Sequence, residues 1–316
     1  MRAIMAVVLA TLLPAVGCTA AVADEIEPSS SLGLATRGQV SVERMVSLSA
    51  LADATVTRTH VSARFMQLSG GIDQTLAERV VAPPRELPEM GSCTGRTAPT
   101  TEPLPPSATQ GSIELLDVGE VLLRAGPSTM PLAARAFPDV GEVVSGVVYT
   151  SRDGTSELPV GVPYLIETTG SSLIASFSLR VDAPMEPVDL RVGAERLDSE
   201  QLVLLRGEAL DLEWSTASAS ASASANDAEA DQIIVDVTIP ANDSTQPSPA
   251  ALRCVFRDTG AARVLPEYLS WPELPDEVEL TVHRLRRVHV PLPDVEETIV
   301  EFDFAVSARV PVADAL

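Results

Sequence analysis

The run Leu173–Asp182 limits what this chain can fold into more than any other stretch. Leu173, Ala175, Phe177, Leu179 and Val181 fall on one face of an extended chain. Ile174, Ser176, Ser178, Arg180 and Asp182 fall on the other. Alternation with a period of two marks a strand buried on one side, as in antiparallel sheets. The same period recurs at Val61–Met66, Val143–Tyr149, Leu210–Trp214, Ile233–Ile239, Leu252–Phe256, Val278–Val282 and Thr298–Val306. No stretch of comparable length carries a helical period. With 25 prolines, and with 45% of the chain apolar, the composition suits short strands, many turns and a real core.

The expected fold class is therefore all-β. The pattern breaks at Ala183-Pro184-Met185-Glu186-Pro187 and then restarts, which predicts a domain junction. Two antiparallel β-sandwich domains are expected, over 40–183 and 184–316, with a low-complexity loop at 215–231. Asp117-Val118-Gly119 reads as a hairpin turn between Ile113-Glu114-Leu115 and Val121-Leu122-Leu123. The proline-rich stretch Pro83–Pro106 reads as a long loop, because proline brings no N–H to a ladder. Trp214 on an early strand of the second region, with short strands around it, resembles immunoglobulin-like sandwiches.

The first residues set a location. Met1 and Arg2 are followed by an uncharged apolar run, Ala3–Leu13, then Pro14 and small residues. This is the layout of a secretory signal over 1–17. The run is too short for a membrane span, which needs about 20 residues in a helix. Ala15-Val16-Gly17-Cys18 resembles a bacterial lipobox. That resemblance implies cleavage before Cys18, lipidation of Cys18, and a flexible tether over 18–39. Thr19, rather than Asp, after the cysteine implies the outer membrane by the same resemblance. The other reading is release as a soluble protein by cutting after Ala21-Val22-Ala23. Segments such as Leu173–Phe177, Leu210–Trp214, Leu252–Phe256 and Val264-Leu265-Pro266-Glu267 resemble lipoproteins of myxobacterial type, a group with no established activity. That likeness implies a sandwich fold and an envelope location.

The chain carries 44 acidic and 22 basic residues, for a net charge of −22, and every basic residue is arginine. Nucleic acid is not an expected partner, since its binding rests on a basic footprint. Besides Cys18 there are Cys93 and Cys254. An oxidising compartment favours a disulfide between them, and two unpaired buried thiols are the other reading. Neither has a further Cys or His at zinc spacing, so no metal site and no cofactor are expected.

Catalytic motifs are absent: there is no Gly-x-Ser-x-Gly, His-Glu-x-x-His, Walker A or Gly-x-Gly-x-x-Gly sequence. The basic stretch His283–His289 is the one candidate for anion binding. On a strand, His283, Arg287 and His289 share one face, while Arg284 and Arg286 share the other. The competing reading is cross-strand pairing with acids. Together these features predict a non-enzymatic envelope lipoprotein. It would be held to the membrane by the lipid on Cys18 and would bind an envelope protein or serve as a structural module. A glycan- or metal-binding lipoprotein is the alternative, and a secreted hydrolase comes third.

Overall fold

Most of the alternating sequence is strand in the computed structural model. It describes residues 35–48, 55–70, 87–95, 111–140, 144–152, 154, 157–216, 231–240, 250–269 and 275–314. Cys18 and most of the expected tether lie outside these residues, as does most of the loop expected at 215–231. In the first half run β1 (Ala35–Leu48), β2 (Val56–Gly70), β3 (Cys93–Gly95), β4 (Gly111–Leu115), β5 (Val121–Ala125), β6 (Ser128–Val140), β7 (Val144–Thr150), β8 (Pro163–Thr168) and β9 (Ser178–Asp182). The second half adds β10 (Val188–Val192), β11 (Glu195–Arg196), β12 (Leu204–Arg206), β13 (Leu210–Ser215), β14 (Gln232–Thr238), β15 (Ala250–Arg257), β16 (Ala261–Val264), β17 (Glu277–Leu292) and β18 (Val295–Asp314). The fold is all-β.

Fourteen of these strands form one sheet. Its path runs β3-β15-β14-β17-β18-β1-β2-β4-β7-β6-β5-β8-β9, with β12 beside β18; a second sheet runs β11-β10-β13-β16. The pairing is not wholly antiparallel: β1 lies parallel to β18, β4 to β7, and β12 to β18. The first of these joins the two ends of the described chain, so no short turn constrains its direction.

Two cores share this sheet. In the first, the large sheet turns over on itself. Val121, Leu123, Tyr164, Ile166, Leu179 and Val181 meet Val40, Val42, Val61, Phe65, Val300, Phe302 and Phe304. Aromatic edges lock the contact, with Tyr164 against Phe302 at 5.2 Å and Phe65 against Phe177 at 5.5 Å between ring centroids. In the second core, Ile233, Val235, Leu252, Cys254, Val278, Leu280, Val306 and Val310 pack against Leu190, Leu210, Leu212, Trp214 and Val264 of the small sheet. That is a two-layer sandwich.

The chain crosses from one core to the other near Ala183–Pro187, but the cores do not separate there. β18 gives Val300, Phe302 and Phe304 to the first core and Val306, Ala308 and Val310 to the second. β17 and β1 likewise serve both. Leu34–Leu316 is accordingly one compact unit, not two self-contained sandwiches.

Where the cores meet, two arginines point inward from the shared sheet. Arg284 and Arg44 flank Phe304, since Arg284 pairs with Phe304 across β17–β18 and Arg44 with Phe304 across β1–β18. Both hold the crossing segment. Arg284 Nη1 donates to the carbonyls of Met185 and Glu186, each at 3.1 Å, and Arg44 forms an ion pair with the Glu186 carboxylate. Arg284 is fully buried, and its Nε lies 2.9 Å from Asp258 Oδ2.

Three local expectations change. First, β1 begins at Ala35, so residues 35–39 are strand rather than tether. Arg37 pairs with Glu297, and Thr36 and Gly38 are buried. Those residues are poor in apolar side chains, so their strand is visible only through its partners. Second, the run from Leu173 is strand only from Ser178. Gly170 sits at φ 80°, and Ser171 Oγ accepts hydrogen bonds from the Leu173 and Ile174 N–H groups. That turn exposes Leu173 (62% accessible) and buries Ile174, the reverse of the expected faces. Third, Asp117–Gly119 is not a hairpin. β4 pairs with β2 and β7, whereas β5 pairs with β6 and β8.

Tyr149 holds that third turn. Its hydroxyl accepts from the Val118 N–H at 2.8 Å and donates to Asp117 Oδ1 at 2.7 Å. The Tyr149 hydroxyl, followed by the Gly119 N–H, keeps the Asp117 pKa below its ordinary value. Such a depressed carboxyl adds stability above its unfolded pKa, near 3.9, and loses it as pH falls through the lower folded value. Tyr149→Phe removes the donor and leaves the buried Val118 N–H unmatched. The expected cost is about 1–3 kcal/mol at neutral pH. The acid limb of the stability curve should also flatten, because Asp117 then titrates more alike in the folded and unfolded chains. Urea melts of both proteins between pH 2 and 7 check this; parallel acid limbs would refute it.

Candidate functional site

The face of the large sheet turned away from the cores is polar, and the strand register assembles it in rows. One row reads Arg253, Asp236, Thr281, Ser307 and Ser47 across β15, β14, β17, β18 and β1. The next reads Ile234, His283, Ala305, Met45 and Arg58 across β14, β17, β18, β1 and β2. A third places Asp303 of β18 beside Glu43 of β1 and His60 of β2. Residues remote in sequence thus become lateral neighbours at the spacing of adjacent strands, about 4.8 Å.

His283 sits in this face without being exposed. It is 4% accessible, and Asp236 and Asp303 are each 5%. Its Nδ1–H donates to Asp303 Oδ1 at 2.8 Å, and Nε2 lies 3.7 Å from Asp236 Oδ2. Asp236 is gripped in turn by Arg253, whose Nε and Nη2 donate to its two oxygens at 2.8 and 2.6 Å. Such a fork is a strong charge-assisted arrangement. Both ring nitrogens of His283 therefore face carboxylates, which holds the ring in place in the sheet.

The expected trio of His283, Arg287 and His289 shares one face but does not converge on one anion site. Each meets its own acid on β18: Asp303 for His283, Glu301 for Arg287 at 2.6 Å, and Glu297 for His289 at 3.6 Å. On the opposite face Arg284 takes Asp258, and Arg286 takes Asp231 through both carboxylate oxygens at 2.6 and 2.7 Å. The physical reason is complementarity along the β17–β18 hairpin, whose basic strand lies against an acidic one. Glu297, Glu301 and Asp303 all stand at odd positions, matching the odd-numbered cations opposite.

A cleft of about 400 Å³ opens on this face beside His283. Its floor is His283, Asp303 and Ala305, and one wall is Glu43 and Met45 of β1. The facing wall is Arg58 and His60 of β2, and the segment after β7 closes the end with Ser151, Arg152 and Gly154. That segment is docked by backbone bonds, from the Ser151 N–H to the Val61 carbonyl and from the Thr59 N–H to the Gly154 carbonyl, both 2.8 Å. Ser151 Oγ also accepts from the Val61 N–H at 3.1 Å. Arg152 is therefore carried on an anchored turn.

Charge in the cleft is unevenly matched. Arg44 also lines it and is held by Glu186. Asp303 is engaged by His283. Glu43 acts on Arg64, whose pKa is lowered by burial and raised in opposition by Glu301 and then Glu43. Among the described residues, Arg58 and Arg152 have no carboxylate partner. No protein-family model matches the chain, and no curated protein matches it. Its chemistry therefore has to be read from the cleft itself. Arg58, His60 and Arg152 escaped the sequence reading because no local motif joins them; only the β1–β2 register and the turn after β7 do.

Cys93 and Cys254 are joined by a disulfide. They stand directly opposite each other where β3 pairs with β15, at the far edge of the same sheet. Among the described residues, no group of three or more His, Cys, Asp or Glu side chains is placed to hold a metal ion. Among the same residues, no helix is long and apolar enough to cross a membrane.

Proposed function

We propose that this chain is a lipid-anchored envelope protein that works by binding a protein partner rather than by turnover. The observation that carries the binding half is the cleft. It brings together Arg58 of β2 and Arg152 of the turn after β7, which have no carboxylate partner among the described residues, while its histidine floor is tied to carboxylates on both sides. The backbone under both is fixed by strand pairing and by the Ser151 and Thr59 hydrogen bonds, so a partner meets them at set positions on the surface. The anchor half rests on the lipobox-like Ala15-Val16-Gly17-Cys18 and on a disulfide of the kind that persists in oxidising compartments. Acyl chains contribute about 0.8 kcal/mol per buried CH₂, so two or three chains hold a protein firmly.

Intact mass and detergent partitioning of the native protein test the anchor. The expected result is a chain starting at Cys18 with added acyl mass, found in the detergent phase. A water-soluble chain starting at Asp24 would overturn it. Crosslinking in intact cells tests the binding half. A discrete crosslinked species is expected, and it should weaken when Arg58 and Arg152 are replaced together.

A further inference from the structure

We infer that the cleft between β2 and the turn after β7 is a site for a carboxylate group, held by Arg58 and Arg152. This deepens the binding reading above and rests on it. The chain has twice as many acidic as basic residues. In such a protein an arginine finds a carboxylate readily, and Arg253, Arg284, Arg286 and Arg287 each have one. Among the described residues Arg58 and Arg152 do not, and both line the same cleft. Two arginines lining one space give it a surplus of N–H donors, and planar forks of donors match carboxylate geometry.

The remaining lining selects among anions. Glu43 and Asp303 stay in the wall and floor, and they repel a compact dianion such as phosphate more strongly than a carboxylate whose further charges lie at the far end of a carbon chain. Met45, 37% accessible, and Ala305 supply an apolar strip beside the arginines. That strip suits the methylene groups that carry a carboxylate, as in a short organic acid or an acidic side chain. The volume of about 400 Å³ lies within the range of ordinary ligand sites and admits more than an ion. His60, exposed on the same wall, lines the same space.

The carboxylate has two sources, a free small acid or an acidic segment of a protein. The mature protein should be titrated by calorimetry with succinate, with acetyl-Glu-Asp-Glu-amide, with the neutral acetyl-Gln-Asn-Gln-amide, and with inorganic phosphate. Saturable binding of succinate or the acidic peptide is expected, with none of the neutral peptide. The tighter of the two identifies the source. Arg58→Met and Arg152→Met should each weaken that binding about tenfold, the loss of one charge-assisted contact. Arg124→Met, which removes an exposed arginine on β5 paired with Glu167, should leave it unchanged. Among the described residues neither cleft arginine has a carboxylate partner, and both are exposed, so the unliganded melting midpoint of each variant should match that of the parent.

Binding of phosphate alone would overturn the carboxylate assignment. No saturable binding, or binding retained by the Arg58→Met/Arg152→Met pair, would overturn the site. Either failure in a protein that still partitions into detergent and still crosslinks leaves the anchored-binding reading standing. Carboxylate binding by a protein that neither partitions nor crosslinks would instead remove that reading and keep the site.

Discussion

Replacing Arg284 with methionine should cost about 3–5 kcal/mol of folding stability, the range for breaking a buried ion pair from one side. The side chain is fully buried, and it neutralises Asp258 while donating to three carbonyls. Two belong to Met185 and Glu186, and Nη2 reaches the third, Ser215, at 2.8 Å. Methionine fills similar space but leaves the Asp258 carboxylate without this buried counter-charge and the three carbonyls without the guanidinium donors. Asp258 also accepts from Trp214 Nε1 at 2.6 Å, so the damage extends into the second core. Arg284→Met combined with Asp258→Asn should recover part of the loss, because no charge is then left unpaired. Urea denaturation of the parent, both single variants and the double variant gives the coupling directly. A loss under about 1 kcal/mol for Arg284→Met, the scale of an exposed pair, would mean that water reaches Asp258.

Removing the disulfide by Cys93→Ala/Cys254→Ala should cost about 2–4 kcal/mol. The bridge spans 161 residues of sequence, and long closed loops restrict the unfolded chain most. Folded-state effects add to this. Strand β3 has only three residues, and little besides the bridge fixes the segment 87–95 to the sheet edge. Gly91 donates to the Val255 carbonyl, Val255 donates to that of Ser92, and Leu87 packs on Ile234, Val255 and Leu285. Cys254 itself is fully buried in the second core. The urea midpoint should fall, and amide exchange should rise first at 91–95 and along β15. Reduced parent protein should behave like the double variant. Equal midpoints with and without the bridge would show that β3 holds its place unaided.

Much of the strand content was legible because half-buried strands advertise themselves. Strands β13 and β14 cover the runs Leu210–Trp214 and Ile233–Ile239 closely, and Trp214 points into a core as its position suggests. What was illegible depends on partners. His283 and Arg284 look alike in sequence, as cations in a basic strand. One becomes part of a carboxylate network on the outer face, and the other a buried clasp between cores, because neighbouring strands differ on the two faces. The acids at Glu297, Glu301 and Asp303 were a readable hint that β17 and β18 would zip together. The cleft had no such hint. Arg58 and Arg152 lie far apart in the chain, and an expectation of two separate domains hides how much of the sheet is shared.

Strand β1 pairs with β18 over twelve residues, from Arg37 opposite Glu297 to Leu48 opposite Ala308. The first described strand is therefore completed by the last. A chain made from its N-terminus can pair β1 with β2, and β2 with β4 and β7, but must leave the other edge of β1 open until β18 has been delivered. Pairings this distant in sequence slow folding and leave the edge open to foreign strands meanwhile. The finished molecule gains the converse property. Neither end of the described chain can peel away without breaking the seam that holds the other, so truncation at Leu292 should unravel the first core as surely as the second.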